Sequence, residues 1–182
     1  MTFARVLVTI GVLAFAVGIQ PPQAKAKQQT VRDCSETHPG EGPAYTGAVQ
    51  NSDFNFYAKV PFGLTAWGGV DKSAPFHGFT IFLDAKAKSC IVFEVHVRVD
   101  KSEPVSPDPK AKSIQLGKAE GWQTRTTGVA NGAKLINVET VFSFERPDQI
   151  DDGYILLVTP TSNADDPLSI YDSFLHSLEF GR

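Results

Sequence analysis

The chain has 182 residues, 42% hydrophobic and 20% charged, with 17 basic against 20 acidic side chains and a formal charge of −3. A mildly acidic balance of this kind argues against nucleic acid or an anionic membrane surface as partner. The length fits one domain rather than two.

The chain opens on "MTFAR", one positive charge ahead of an acid-free apolar run from Val6 to Ile19. The following "QPPQAKA" is polar and ends in the small-x-small triplet Ala24-Lys25-Ala26. That is the layout of a secretory signal peptide, residues 1–26, with cleavage after Ala26. The run of 14 residues (6 to 19) is short of the roughly 20 a membrane span requires. Cleavage would remove Arg5 and Lys25, leaving 15 basic against 20 acidic groups, or −5. No later stretch is long enough to span a bilayer, so an exported protein, periplasmic or secreted, is expected.

Residues 27–49 are polar, contain Pro and Gly and lack periodicity; they read as an N-terminal arm. The two cysteines, Cys34 and Cys90, both lie in the exported part. An even count in an oxidising compartment favours a disulfide, which would tie the arm to the domain expected over residues 50–182. Neither Ser89 nor Ile91 offers a base that would activate Cys90 as a nucleophile.

From residue 54 the pattern is that of strands. In "FNFYAKV", Phe54, Phe56, Ala58 and Val60 alternate with polar or mixed residues, the period of a half-buried strand. "FTIFL" (79–83) is a short, almost wholly apolar run. "IVFEVHVRV" (91–99) places Ile91, Phe93, Val95, Val97 and Val99 on one face and Glu94, His96 and Arg98 on the other. The connector between these two runs is of hairpin length, so they are expected to be antiparallel neighbours. The proline-rich "DKSEPVSPDPKAKS" reads as an exposed loop.

Further strands follow at "IQLGK", at "GWQTRTT", at "KLINVETVFSFE" with Ile136, Val138, Thr140, Phe142 and Phe144 on one face, and at "YILLVT". Asn-Gly in "VANGA" and Asp-Gly in "RPDQIDDG" read as hairpin turns. Only the end is helical: Asp165 or Asp166 as N-cap and Pro167 at the first helical position, then Leu168, Tyr171, Phe174, Leu175 and Leu178 on one stripe. The expected fold is a single α+β domain, a mainly antiparallel sheet of six or seven strands with one C-terminal helix packed on it.

"FNFYAKVPFGL" resembles the opening of PsbP-like exported domains, a short strand running into Pro and a Gly turn, and "YDSFLHSLEF" is similar to the terminal helix of that group. The resemblance covers about a fifth of the chain, at its two ends, and no functional residue of the family aligns to the middle. It implies an α/β/α sandwich without inherent catalysis.

The remaining question is chemistry. His38, His77, His96 and His176 lie far apart in sequence and none belongs to an HExxH motif. Asp71, Ser73 and His77 are close in sequence, but triads join separate elements, and no G-x-S-x-G elbow is present. Asp151–Asp152 and Asp165–Asp166 fit turn and cap roles, and no calcium-loop motif occurs. The loop "WGGVDKSAPFHGF", residues 67–79, has two readings: a structural corner between strands, or a contact surface built on Trp67, Phe76 and His77. Trp122 is a second contact candidate, since Trp is over-represented among residues that dominate binding.

No metal, no cofactor and no catalytic residue is expected. The reading is an exported, non-enzymatic binding protein of the cell envelope, of inhibitor or immunity type, with a protein partner. The alternatives are an accessory subunit of an envelope complex and an enzyme with an unrecognised site.

Overall fold

The computed structural model describes residues 34, 43–68, 77–98 and 108–181. The leader assigned to residues 1–26 lies outside them, as do His38, the loop residues 69–76 including Phe76, and residues 99–107 of the proline-rich loop.

Four short strands come first: β1 (Ala44–Tyr45), β2 (Ala48–Asn51), β3 (Phe56–Lys59) and β4 (Ala66–Gly68). The strands β5 (Gly78–Phe82), β6 (Cys90–Arg98), β7 (Lys112–Leu116), β8 (Ala119–Ala130), β9 (Ala133–Glu145) and β10 (Ile150–Pro160) follow. A helix, α1 (Asp165–Ser177), and a two-residue strand, β11 (Glu179–Phe180), close the chain. Eight strands form one antiparallel sheet in the order β1-β4-β5-β6-β10-β9-β8-β7, and three form a small one in the order β11-β3-β2. The architecture is the expected single α+β domain, with four short strands beyond those the alternation identifies.

The alternation in β6 and β9 decides which face of the large sheet is packed. Ile91, Phe93 and Val95 have no exposure, and Ile136, Val138, Thr140, Phe142 and Phe144 are buried on the same side. The small sheet and α1 cover this face. Phe56 of β3 meets Phe93 with ring centroids 5.0 Å apart, Phe180 of β11 meets Phe142 at 4.7 Å, and Phe174 of α1 meets Phe79 at 5.9 Å. Tyr171 fixes the helix in place: its hydroxyl lies 2.9 Å from Thr140 Oγ1 on β9 and donates to the Ile155 carbonyl on β10 at 3.0 Å. Burial, the dominant cause, pushes that phenol well above its ordinary range, so it stays a neutral donor.

Four details differ from the sequence reading. Val97 is 46% exposed, because it is the penultimate residue of β6 and the covering elements do not reach it. The β9–β10 turn is Arg146–Gln149, closed by Arg146 N–H to the Gln149 carbonyl at 2.8 Å, while Asp152-Gly153 lies inside β10. Gly153 is needed there because a Cβ would run into the Glu94 carbonyl oxygen and stand 2.8 Å from Phe142 Cζ. Finally, Ala164 rather than an aspartate occupies the N-cap of α1 and adopts α-helical angles directly after a short 3-10 turn, Thr161–Asn163. Asp165 and Asp166 therefore sit in the first turn, where their charge suits the helix dipole, and Pro167 is third, still among positions whose N–H has no helical partner. The Asn-Gly hairpin is as expected: Asn131 and Gly132 have φ of 49° and 76°, the two left-handed residues of a tight turn.

Candidate functional site

Cys34 and Cys90 are joined in a disulfide, with Cα atoms 6.0 Å apart, and both sulfur-bearing residues are buried. The bridge pins Cys34 against the first residue of β6, at the end of the large sheet where β5, β8 and β10 finish and β9 begins. At this end a cleft of about 860 Å³ opens. Leu83, Leu135, Ile170 and Cys34 supply its apolar lining, while Lys86, Lys88, Ser162, Asn163 and Asp166 bring polar groups. The volume lies within the range of small-ligand and peptide-anchor sites.

The β5–β6 connector forms one wall, and Asp84 determines its shape. Its carboxylate accepts the backbone N–H groups of Lys86 at 2.8 Å, Lys88 at 3.2 Å and Ser89 at 2.7 Å. Partial burial raises the carboxyl pKa, but these hydrogen bonds together outweigh it and hold the group below its ordinary 3.8. The Ser89 hydroxyl is engaged in turn, 3.1 Å from Thr159 Oγ1 on β10. These two polar groups of the wall are thus committed to holding the loop on the sheet.

The described contact candidates read from sequence, Trp67, His77 and Trp122, are not among the lining of this cleft. Trp67 is the central residue of β4, opposite Thr80 and Ala44, so it is a half-buried strand residue and not part of a glycine turn. Trp122 lies on β8 opposite Val141 and Ser113. Both Trp residues alternate with packed-face positions and so project to the second face of the sheet, but five strand spacings separate them, about 24 Å. His77 is half-buried ahead of β5; its carbonyl accepts the Val95 N–H at 2.7 Å, and its ring lies 6.3 Å from Phe54 and 6.0 Å from His96. Phe76 lies outside the described residues.

His96 is exposed as the alternation requires, with Nε2 3.5 Å from Glu94 Oε2. Among the described residues no group of three or more His, Cys, Asp or Glu side chains is arranged to hold a metal. No described helix is long and apolar enough to cross a membrane. At the end of the sheet away from the cleft, Asp151 is fully buried and pairs with Arg146, whose Nε lies 2.7 Å from its Oδ2, while Gln149 donates to its Oδ1 at 2.9 Å. Arg146 also donates to the Asp53 carbonyl at 2.6 Å. The carboxylate is consumed in tying the β9–β10 turn to the β2–β3 turn, a structural role.

The cysteine pair announced the bridge that lines the cleft, and nothing in the sequence reading pointed to the cleft itself. Its other lining residues come from the β5–β6 connector, the β8–β9 hairpin, the 3-10 turn and α1, and no spacing in the chain links these segments.

No family model matches the chain, and no curated protein matches it. Among solved structures it is similar to LpqN of Mycobacterium tuberculosis, described as involved in cell envelope biogenesis. That likeness has 11% identity and a TM-score of 0.57, over 75% of this chain and 90% of the other. It is also similar to the solution structure of cyanobacterial PsbP (CyanoP) from Synechocystis sp. PCC 6803, at 9% identity and a TM-score of 0.41, over 79% of this chain and 97% of the other. The likeness to LpqN is one of fold: an antiparallel sheet with a helix packed near the C-terminus.

Proposed function

We propose that this chain is an exported, non-catalytic binding protein of the cell envelope, holding a protein partner at the disulfide-walled cleft in the manner of an inhibitor or immunity protein. The observation that carries the reading is the Cys34–Cys90 bridge. A structural disulfide belongs to an oxidising compartment, and this one forms a wall of an open cleft of about 860 Å³. The walls support binding more than catalysis, because Asp84 and Ser89 are committed to backbone and sheet. The apolar lining of Leu83, Leu135 and Ile170 suits an inserted side chain. The description of LpqN as involved in cell envelope biogenesis supports the envelope as the place, and it favours a second reading, an accessory component of an envelope assembly.

A photo-crosslinking residue at Ala133, inside the cleft, and another at Lys112, on the far edge strand, separate these readings in the exported protein. One discrete adduct from Ala133 alone, abolished by Leu135→Arg, is the expected result. A ladder of large membrane-associated adducts would favour the accessory component. Adducts of equal yield from both positions would remove the cleft as the binding site.

A further inference from the structure

Away from the cleft, the strand register lines up a row of side chains across the second face of the sheet. Glu94 on β6 stands opposite Tyr154 on β10, Tyr154 opposite Val141 on β9, and Val141 opposite Trp122 on β8. Ala119 and Gly121 are buried at packed-face positions of β8, so Trp122, directly after Gly121 in the alternation, belongs to this second face. Tyr154 and Trp122 are both half-buried. They stand two strand spacings apart, about 9–10 Å. That separation matches alternate sugar rings of an extended β-1,4-linked glycan, whose C–H faces stack on aromatic rings while the equatorial groups seek polar partners at the side.

Those partners are present and mostly acidic. Glu120 and Glu139 lie on the same face, one row to either side of Trp122 and Val141, and Asp152 lies one row from Tyr154. No described lysine occupies this face; its basic residues are His96, whose imidazole lies 3.5 Å from Glu94, and Arg98, the last position of β6, against the four acidic residues Glu94, Glu120, Glu139 and Asp152. Such a field repels polymers that carry their own carboxylates or phosphates and attracts those that carry ammonium groups.

We propose that this face binds a linear β-1,4-linked glycan bearing free amino groups, laid across the strands with sugar rings on Tyr154 and Trp122 and ammonium groups at Glu94 and Glu139. The site is distinct from the cleft, so loss of the cleft partner leaves this proposal standing, and the reverse holds as well.

The test is titration of the oxidised, leader-free protein with a glucosamine hexamer, read by calorimetry and tryptophan fluorescence. An N-acetylglucosamine hexamer, a galacturonate hexamer and hexalysine serve as comparators. The glucosamine hexamer is expected to bind, the acetylated one more weakly, and the galacturonate one not at all. Trp122→Ala should weaken glucosamine-hexamer binding by about tenfold or more, with Trp122→Tyr restoring most of it and Trp67 remaining as a reporter of the folded state. Glu94→Gln combined with Glu139→Gln should erase the preference for the amine over the acetylated sugar. Absence of glucosamine-hexamer binding overturns the proposal. So does binding that hexalysine matches and Trp122→Ala leaves unchanged, which would make the face a site for cationic polypeptide.

Discussion

Val95 and His96 are adjacent in β6, yet the strand's two-residue period assigns them to different surroundings. Val95 has no exposure and lies in the aromatic core, whereas the His96 side chain is 54% exposed and, among the described residues, has the partly exposed Glu94 as its ionic partner. Val95→Asp should therefore destabilise by several kcal/mol, since a carboxylate there would be buried without a partner. His96→Ala should stay within about 0.5 kcal/mol, as exposed pairs of this kind contribute little. Denaturant melts of the two variants beside wild type check this, and equal midpoint shifts would show the face assignment to be wrong.

Among the elements, the β5–β6 connector is held by one carboxylate, and its order should follow that group's ionisation. Asp84 is ionised in the fold at pH values where it would already be protonating in an unfolded chain, because its pKa is lowered. The sign follows: the contribution is present above the unfolded-chain value and is lost as pH falls through the lower folded value. The carboxylate is largely solvent-facing, so the effect is local. Protection factors of the Lys86, Lys88 and Ser89 amides, corrected for the intrinsic pH dependence of exchange, should fall on acidification below pH 3.8, and Asp84→Asn should show lower protection already at neutral pH. Protection that is flat with pH at all three amides would exclude this role for Asp84. The same element shows why part of the fold was readable and part was not. Long runs such as residues 91–98 and 134–145 contain enough alternation to fix both type and face. Strands of two or three residues, such as Ala44–Tyr45, Ala66–Gly68 and Glu179–Phe180, contain no period at all. They exist because a neighbouring edge accepts them, as when Trp67 pairs with Thr80. Gly153 misled for a related reason: an Asp-Gly pair has turn chemistry, but here the glycine answers to the close approach of the Glu94 carbonyl on the neighbouring strand. The cleft was unreadable because four separate segments build it beside Cys34; the even cysteine count announced the bridge and not the cleft.

For the molecule as a whole, the disulfide is the one covalent tie between residues 56 positions apart in sequence, and its contribution depends on how it acts. If it acts by restricting the unfolded chain, closing a loop of this size contributes about 4 kcal/mol. In a domain of this length each kcal/mol moves the midpoint by about 2–4 °C, so removal should lower it by about 10 °C. Cys34→Ala combined with Cys90→Ala is the variant of choice, because Cys90 has no exposure and a hydroxyl placed there would add a buried polar group. If the bridge acts only through the unfolded state, amides of the cleft wall at Asn131, Leu135 and Ile170 should keep their native chemical shifts while global stability falls. If it also shapes the native cleft, those shifts should move, and crosslinking from Ala133 should fall more than the stability loss explains. We expect the second pattern, since Cys34 is itself part of the cleft lining. Intact mass of the wild type purified without reductant should show two hydrogens fewer than its reduced form. A stability loss under about 1 kcal/mol in the double variant, well below the range for native bridges, would mean that the tie contributes little to the stability of the fold.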